Sequence, residues 1–176
     1  MKNFCFLFLL LMVACNDDDM TTPINPINQL PPATMTGENT FGCLMNGEPW
    51  VAMTPNSIQD DIDVIFDEPN NFITLQAKRK KGIENAFFSF AVTDVTGTGT
   101  YRILDKTISG PGEIFTDFEN ANIYYLDTLA IRSFEITLLD TDEEIISSKF
   151  QFTLIEKNYA DTLVVTEGRM DAKYRQ

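Results

Sequence analysis

The chain contains no histidine. That removes the usual general base for serine and cysteine nucleophiles and the commonest zinc ligand. Carboxylate chemistry is the surviving catalytic route, and it needs two acidic groups held about 5 to 9.5 Å apart across a cleft, which no sequence spacing supplies. Basic side chains are also scarce, 13 against 26 acidic ones. The resulting charge of −13 argues against nucleic acid, which requires basic patches. No apolar run reaches the roughly 20 residues that cross a bilayer as a helix. Sustained helical stripes with caps are missing too, which leaves little room for an α-helical core.

What is present begins at the N-terminus. Residues 1–14 have the build of a secretory signal, with Lys2 ahead of an apolar run from Phe4 to Ala14. Met12-Val13-Ala14-Cys15 resembles the lipobox of bacterial lipoproteins. The resemblance implies a mature chain that starts at a lipidated Cys15, with the membrane as its first partner; two or more acyl chains make a lasting anchor. Asn16, Asp17, Asp18 and Asp19 follow at once and resemble the acidic export signal of Bacteroidetes-type surface lipoproteins. The expected location is therefore the outer membrane, lipid-anchored, at the cell surface. Cys5 would leave with the signal and Cys15 would carry lipid, so Cys43 has no partner for a disulfide. Lacking a histidine base, Cys43 reads as a small buried hydrophobe.

Residues 15–38 read as a tether rich in Pro and Asp, able to reach roughly 60 Å when extended. Residues 39–176 read as one β domain. Asn46-Gly47 between apolar runs is a strong hairpin signal, and Trp50 on the second arm is expected in the core. Ile62, Val64 and Phe66 alternate with Asp63, Ile65 and Asp67, and then Ile73, Leu75 and Ala77 alternate with Thr74, Gln76 and Lys78, giving a strand with one wet face. Arg79-Lys80-Lys81-Gly82 reads as a solvated hairpin tip, and Gly168 as the site of a bulge or a close backbone approach. Nine or ten short strands with regular turns predict an all-β fold, either an antiparallel sandwich or a partly open barrel.

The acidic stretch with Asp140, Asp142 and Glu144 has alternating carboxylates of the kind calcium accepts. It lacks the glycine and the terminal glutamate of an EF-hand loop, so these three are weak candidates and no metal is expected. No cofactor is expected either, since Gly97 and Gly99 lack the rest of a phosphate loop.

The segment from Leu30 through Asn39-Thr40-Phe41-Gly42-Cys43 to Trp50 resembles the opening of a family of Bacteroidetes lipoproteins of unknown function. Ile146–Phe152 and Val165–Asp171 resemble the same family's closing hairpin, which usually carries glycine at the position of Ser148. The resemblance implies a small β-rich envelope lipoprotein and supplies no catalytic residues. Three functions stay open. A binding module could take a glycan or another envelope protein, and exposed Trp50, Tyr124 or Tyr125 would favour it. A structural envelope component would show an uncovered edge strand. A carboxylate hydrolase would show two converging acids. A non-enzymatic binding module is the expected reading.

Overall fold

The computed structural model describes residues 24–53, 61–81, 84–104, 106–107, 110–111, 113–117, 120, 122–158 and 161–176. Cys15 and Asn16–Asp19 lie outside the described residues. Strand accounts for 63% and helix for 5% of the described residues, so the fold is all-β, with the main sheet curled into a half-barrel.

In chain order the strands are β1 (Thr40–Met45), β2 (Glu48–Val51), β3 (Ile62–Asp67), β4 (Phe72–Lys81), β5 (Glu84–Val92), β6 (Gly99–Tyr101) and β7 (Lys106–Thr107). They continue as β8 (Gly110–Pro111), β9 (Glu113–Asp117), β10 (Asn122–Leu126), β11 (Arg132–Asp140), β12 (Ile145–Glu156) and β13 (Thr162–Lys173). The main path runs β2-β1-β13-β12-β10-β9-β5-β4-β3, with β11 and β6 branching from β12. All its ladders are antiparallel, as expected when one face packs on a core and the other meets water.

The first hairpin turns at Asn46 and Gly47, where φ is +51° and +86°. Those values suit the tight turn that matches strand twist. Downstream, β3 buries Ile62, Val64 and Phe66, and β4 buries Ile73, Leu75 and Ala77. The period-two pattern therefore assigns faces correctly.

Aromatic rings fill the centre of the curl. Phe41 stacks on Phe150 at 5.0 Å between centroids, and Trp50 meets Phe88 edge-on at 4.8 Å. Such pairs add about 0.5–1.5 kcal/mol each beyond simple burial. Trp50 is 2% exposed, as expected of a core residue. Arg79 differs from the expected solvated tip: its guanidinium carbon sits 5.3 Å from the centre of the Trp50 ring. The long apolar stem and planar cation of arginine favour that seat over full hydration.

Each end of the sheet path is tied across the curl, the chain beyond β2 to β4 and the chain beyond β13 to β3. Met53, just past β2, donates its N–H to the Lys78 carbonyl at 3.0 Å and accepts from Lys80 N–H at 2.8 Å. Arg175, just past β13, exchanges bonds of 2.9 and 3.0 Å with Phe66 and Val64 of β3. Arg175 also forms a two-pronged pair with Asp63 at 3.0 and 2.9 Å. The hydrogen bonds from Arg175 hold the Asp63 carboxyl below the usual carboxylate range, against a smaller opposing effect of burial. These stitches cover part of the edge that would otherwise offer itself to another strand.

Candidate functional site

The proline-rich segment that composition reads as tether lies against the domain, beginning with the turn at Pro26–Gln29, which sits beside β2. A 3-10 turn at Pro26–Gln29 leads into buried Leu30. Pro31 then crosses Gly42 so closely that a Cβ there would stand 2.6 Å from its Cδ. The segment forms a strap over the outer face of the sheet before entering β1.

Asp171 holds the strap down. This aspartate is 1% exposed and accepts five hydrogen bonds. Thr34 Oγ1 donates at 2.6 Å and Ser147 Oγ at 2.8 Å. The backbone N–H groups of Thr36, Gly37 and Glu38 donate at 3.0, 2.9 and 3.2 Å. Gly37 has φ of +74°, which turns successive N–H groups inward and makes a nest for an anion. Burial alone would push the Asp171 carboxyl up. The bonds from Thr34, Thr36, Gly37 and Glu38 outweigh it and bring the carboxyl down to about 2.

Where the strap crosses β11, β12 and β13 it leaves a groove in two compartments. One, of about 430 Å³, is lined in part by Ser133, Glu135, Lys149, Gln151, Glu167 and Arg169. The other, of about 600 Å³, shares Ala33, Glu135 and Lys149 with it and adds Thr34, Thr98 and Thr137. Strand register makes the row: Glu135 lies opposite Lys149, and Lys149 opposite Arg169. Opposed residues in such a row have Cβ atoms about 4.5–5.5 Å apart. Arg169 is tied to Glu167 at 3.4 Å. The row therefore presents cations, carboxylates, an amide and hydroxyls on a rigid floor.

Two bulges shape this floor. An extra residue, Thr137, separates the pairs Ile136–Ser148 and Leu138–Ser147. On β13, Glu167 adopts φ of +52° beside Gly168, where the register with β12 shifts. A bulge at Gly168 is what the sequence suggests. Ile146–Phe152 and Val165–Asp171 are the two arms of one hairpin, and Ser148 sits within a strand opposite Met170. Its buried hydroxyl has no hydrogen-bond partner.

The other residues singled out from the sequence lie elsewhere. Asp140 spends one carboxylate oxygen on the N–H groups of Asp142 and Glu143, both at 3.0 Å. Glu144 has φ of +55° and its carbonyl accepts from Tyr174 N–H at 2.9 Å. Among the described residues no group of three or more His, Cys, Asp or Glu has the geometry to hold a metal. Two of the aromatics whose exposure would favour a binding face, Trp50 and Tyr124, are buried, and the Tyr124 hydroxyl donates to Asp161 at 2.9 Å.

Cys43 is fully buried, and burial pushes its thiol up to about 12 against a weaker pull from Arg79. A thiol reagent such as Ellman's is expected to leave Cys43 untouched in the folded protein and to label it promptly in denaturant. Fast labelling without denaturant would contradict the core assignment.

The residues that make the strap clasp and the groove are mostly ones that no local pattern marks. Asp171 falls within the closing motif, but nothing near it in sequence names Thr34–Glu38 as its partners. Compared with protein-family models, with curated proteins and with solved structures, the chain matches none.

Proposed function

We propose that this chain is a lipid-anchored, non-enzymatic envelope protein whose β domain binds a glycan in the groove beneath the strap. Cys15 and the acidic residues after it are the anchor and export signal, in the manner of the lipoproteins that both motifs resemble. The observation that carries the binding reading is the lining of the groove. Protein-binding surfaces concentrate aromatic residues at their centre and are depleted in Lys, Glu and Ser. Here Ser133, Glu135, Lys149 and Gln151 occupy the floor. Closely spaced donors and acceptors of that kind suit a hydroxyl-rich ligand.

The strap also sets the stand-off. With docking under way from the turn at Pro26–Gln29, about ten residues separate Cys15 from the domain. Fully extended, they span at most about 35 Å. The groove is then held near the lipid surface, and not at the end of a tether of roughly 60 Å.

A second reading has one observation behind it. Leu129 and Ile131, in the turn before β11, are 96% and 76% exposed. Apolar side chains thrust this far into water suit a contact with another envelope protein.

Protease shaving of intact cells tests the location. The domain is expected to be cleaved while a periplasmic control survives, and Cys15→Ala should abolish lipid labelling. Protection until the outer membrane is opened would refute surface display. For the groove, Lys149→Ala is expected to weaken glycan binding about tenfold in an array or calorimetric assay, the loss of one charged hydrogen bond. Unchanged binding would refute the site.

A further inference from the structure

A second cavity lies among the side chains of β1, β2, β4, β5, β9, β10 and β13, and shares no lining residue with the strap groove. It measures about 190 Å³, and its walls include Met45, Trp50, Arg79, Phe115, Tyr124 and Leu163. A cavity of about 150 Å³ is enough to hold benzene. The wall is mixed: Met45, Phe115, Leu163 and the Trp50 ring supply apolar surface, and Arg79, Asp117 and Asn120 supply about as much polar surface, so a ligand with one apolar and one polar end has partners for both.

Most of the polar residues on the wall have a partner. Tyr124 donates to Asp161 at 2.9 Å, and Asp117 accepts from Asn120 through its side-chain amide at 2.7 Å. Arg79 has a polar partner as well as the ring beneath it. The indole Nε1–H of Trp50 is buried and has no acceptor. Such a group costs about 1–3 kcal/mol while it stays unpaired, so an acceptor brought into the cavity has a specific gain waiting for it. The nearest fixed cation, Arg79, lies over the same ring.

We infer that this cavity binds a small, planar, apolar carboxylate of about the size of benzoate, its oxygens taken by Trp50 Nε1–H and the Arg79 guanidinium. The ring would lie among Met45, Phe115 and Leu163. A neutral molecule of the same shape would fill the space without using the cation.

The chain reports on this site by itself, because Trp50 is its one tryptophan. The full chain in detergent would be titrated with sodium benzoate and, separately, with benzamide, following Trp50 emission and heat. Benzoate is expected to give a saturable change and to bind about tenfold more tightly than benzamide, the difference expected of a charge-assisted pair. Arg79→Met should bring benzoate down to the level of benzamide and leave benzamide unchanged, with circular dichroism verifying the fold. Equal affinity of the two ligands for the unaltered chain would overturn the carboxylate assignment. Linear quenching without saturation would mean collision only and overturn the site. Ala86→Leu should fill the cavity and block both ligands, and undiminished benzoate binding in that variant would place the ligand elsewhere.

Discussion

Replacing Asp171 by Asn is expected to lower the unfolding free energy by about 3 kcal/mol and to loosen the strap while the sheet keeps its ladders. The carboxylate has two acceptor oxygens for five donors, three of which are backbone N–H groups that cannot turn away. An amide offers one acceptor oxygen. If its NH₂ replaces Oδ1, it faces Gly37 N–H; if it replaces Oδ2, it faces those of Thr36 and Glu38. Either way a buried donor meets a donor. Urea unfolding gives the stability. Hydrogen exchange at the amides of residues 36–38 gives the local effect, expected to rise well before exchange in β12 and β13.

The same residue makes stability depend on pH in a defined direction. The Asp171 carboxyl is at about 2 in the folded protein against an ordinary 3.8. Between those values the unfolded chain binds more protons, so stability rises with pH there. The contribution is complete above about pH 4 and is lost as pH falls toward 2. It amounts to about 2 kcal/mol. Subtracting the Asp171→Asn curve from that of the unaltered chain should isolate this loss. A flat difference would mean that the clasp does not hold a charged carboxylate.

Gly168→Ala is expected to cost about 3 kcal/mol for a different reason. A Cβ at this position would collide with the edge of the Phe150 ring and stand 2.5 Å from the Phe150 carbonyl oxygen. Phe150 pairs directly with Gly168 across β12 and β13, so its ring lies flat over the bare backbone. An aromatic that covers a strand glycine in this way both shields the ladder and depends on the missing side chain. The ring cannot swing away freely, because Phe41, Phe134 and Phe152 stack around it at 5.0, 6.3 and 5.6 Å. The melting temperature should fall by about 6 to 12 °C for a chain of this size. Adding Phe150→Leu should recover part of the loss, giving a coupling above about 1 kcal/mol in a double-mutant cycle. Strict additivity would show that the ring is not what excludes the methyl.

The all-β class was legible because its signals are local, whereas the choice between a sandwich and a half-barrel was made by the curl of the sheet. Alternation over six residues assigns Ile62–Asp67 and its faces, and Asn46-Gly47 carries its own turn geometry. Gly168 was legible as a bulge, though not as the floor under Phe150. The tether limit at residue 38 was set by proline content, which records stiffness and says nothing about what the segment lies on. Arg79 was misplaced for a similar reason: a run of charges in sequence gives no hint that one member covers an indole.

The sequence by itself determined the all-β class, the first hairpin and the burial of Cys43 and Trp50, since propensity, period and turn chemistry act over a few residues. The proposed anchor at Cys15 also rests on sequence alone. Only the tertiary structure decided that residues 30–38 form a strap, that Asp171 is its clasp, and that Glu135, Lys149 and Arg169 stand in one row. Asp171 and Thr34 are 137 positions apart. Their bond forms because the sheet has already brought β13 beneath the strap, where a buried carboxylate must find donors or forfeit its charge.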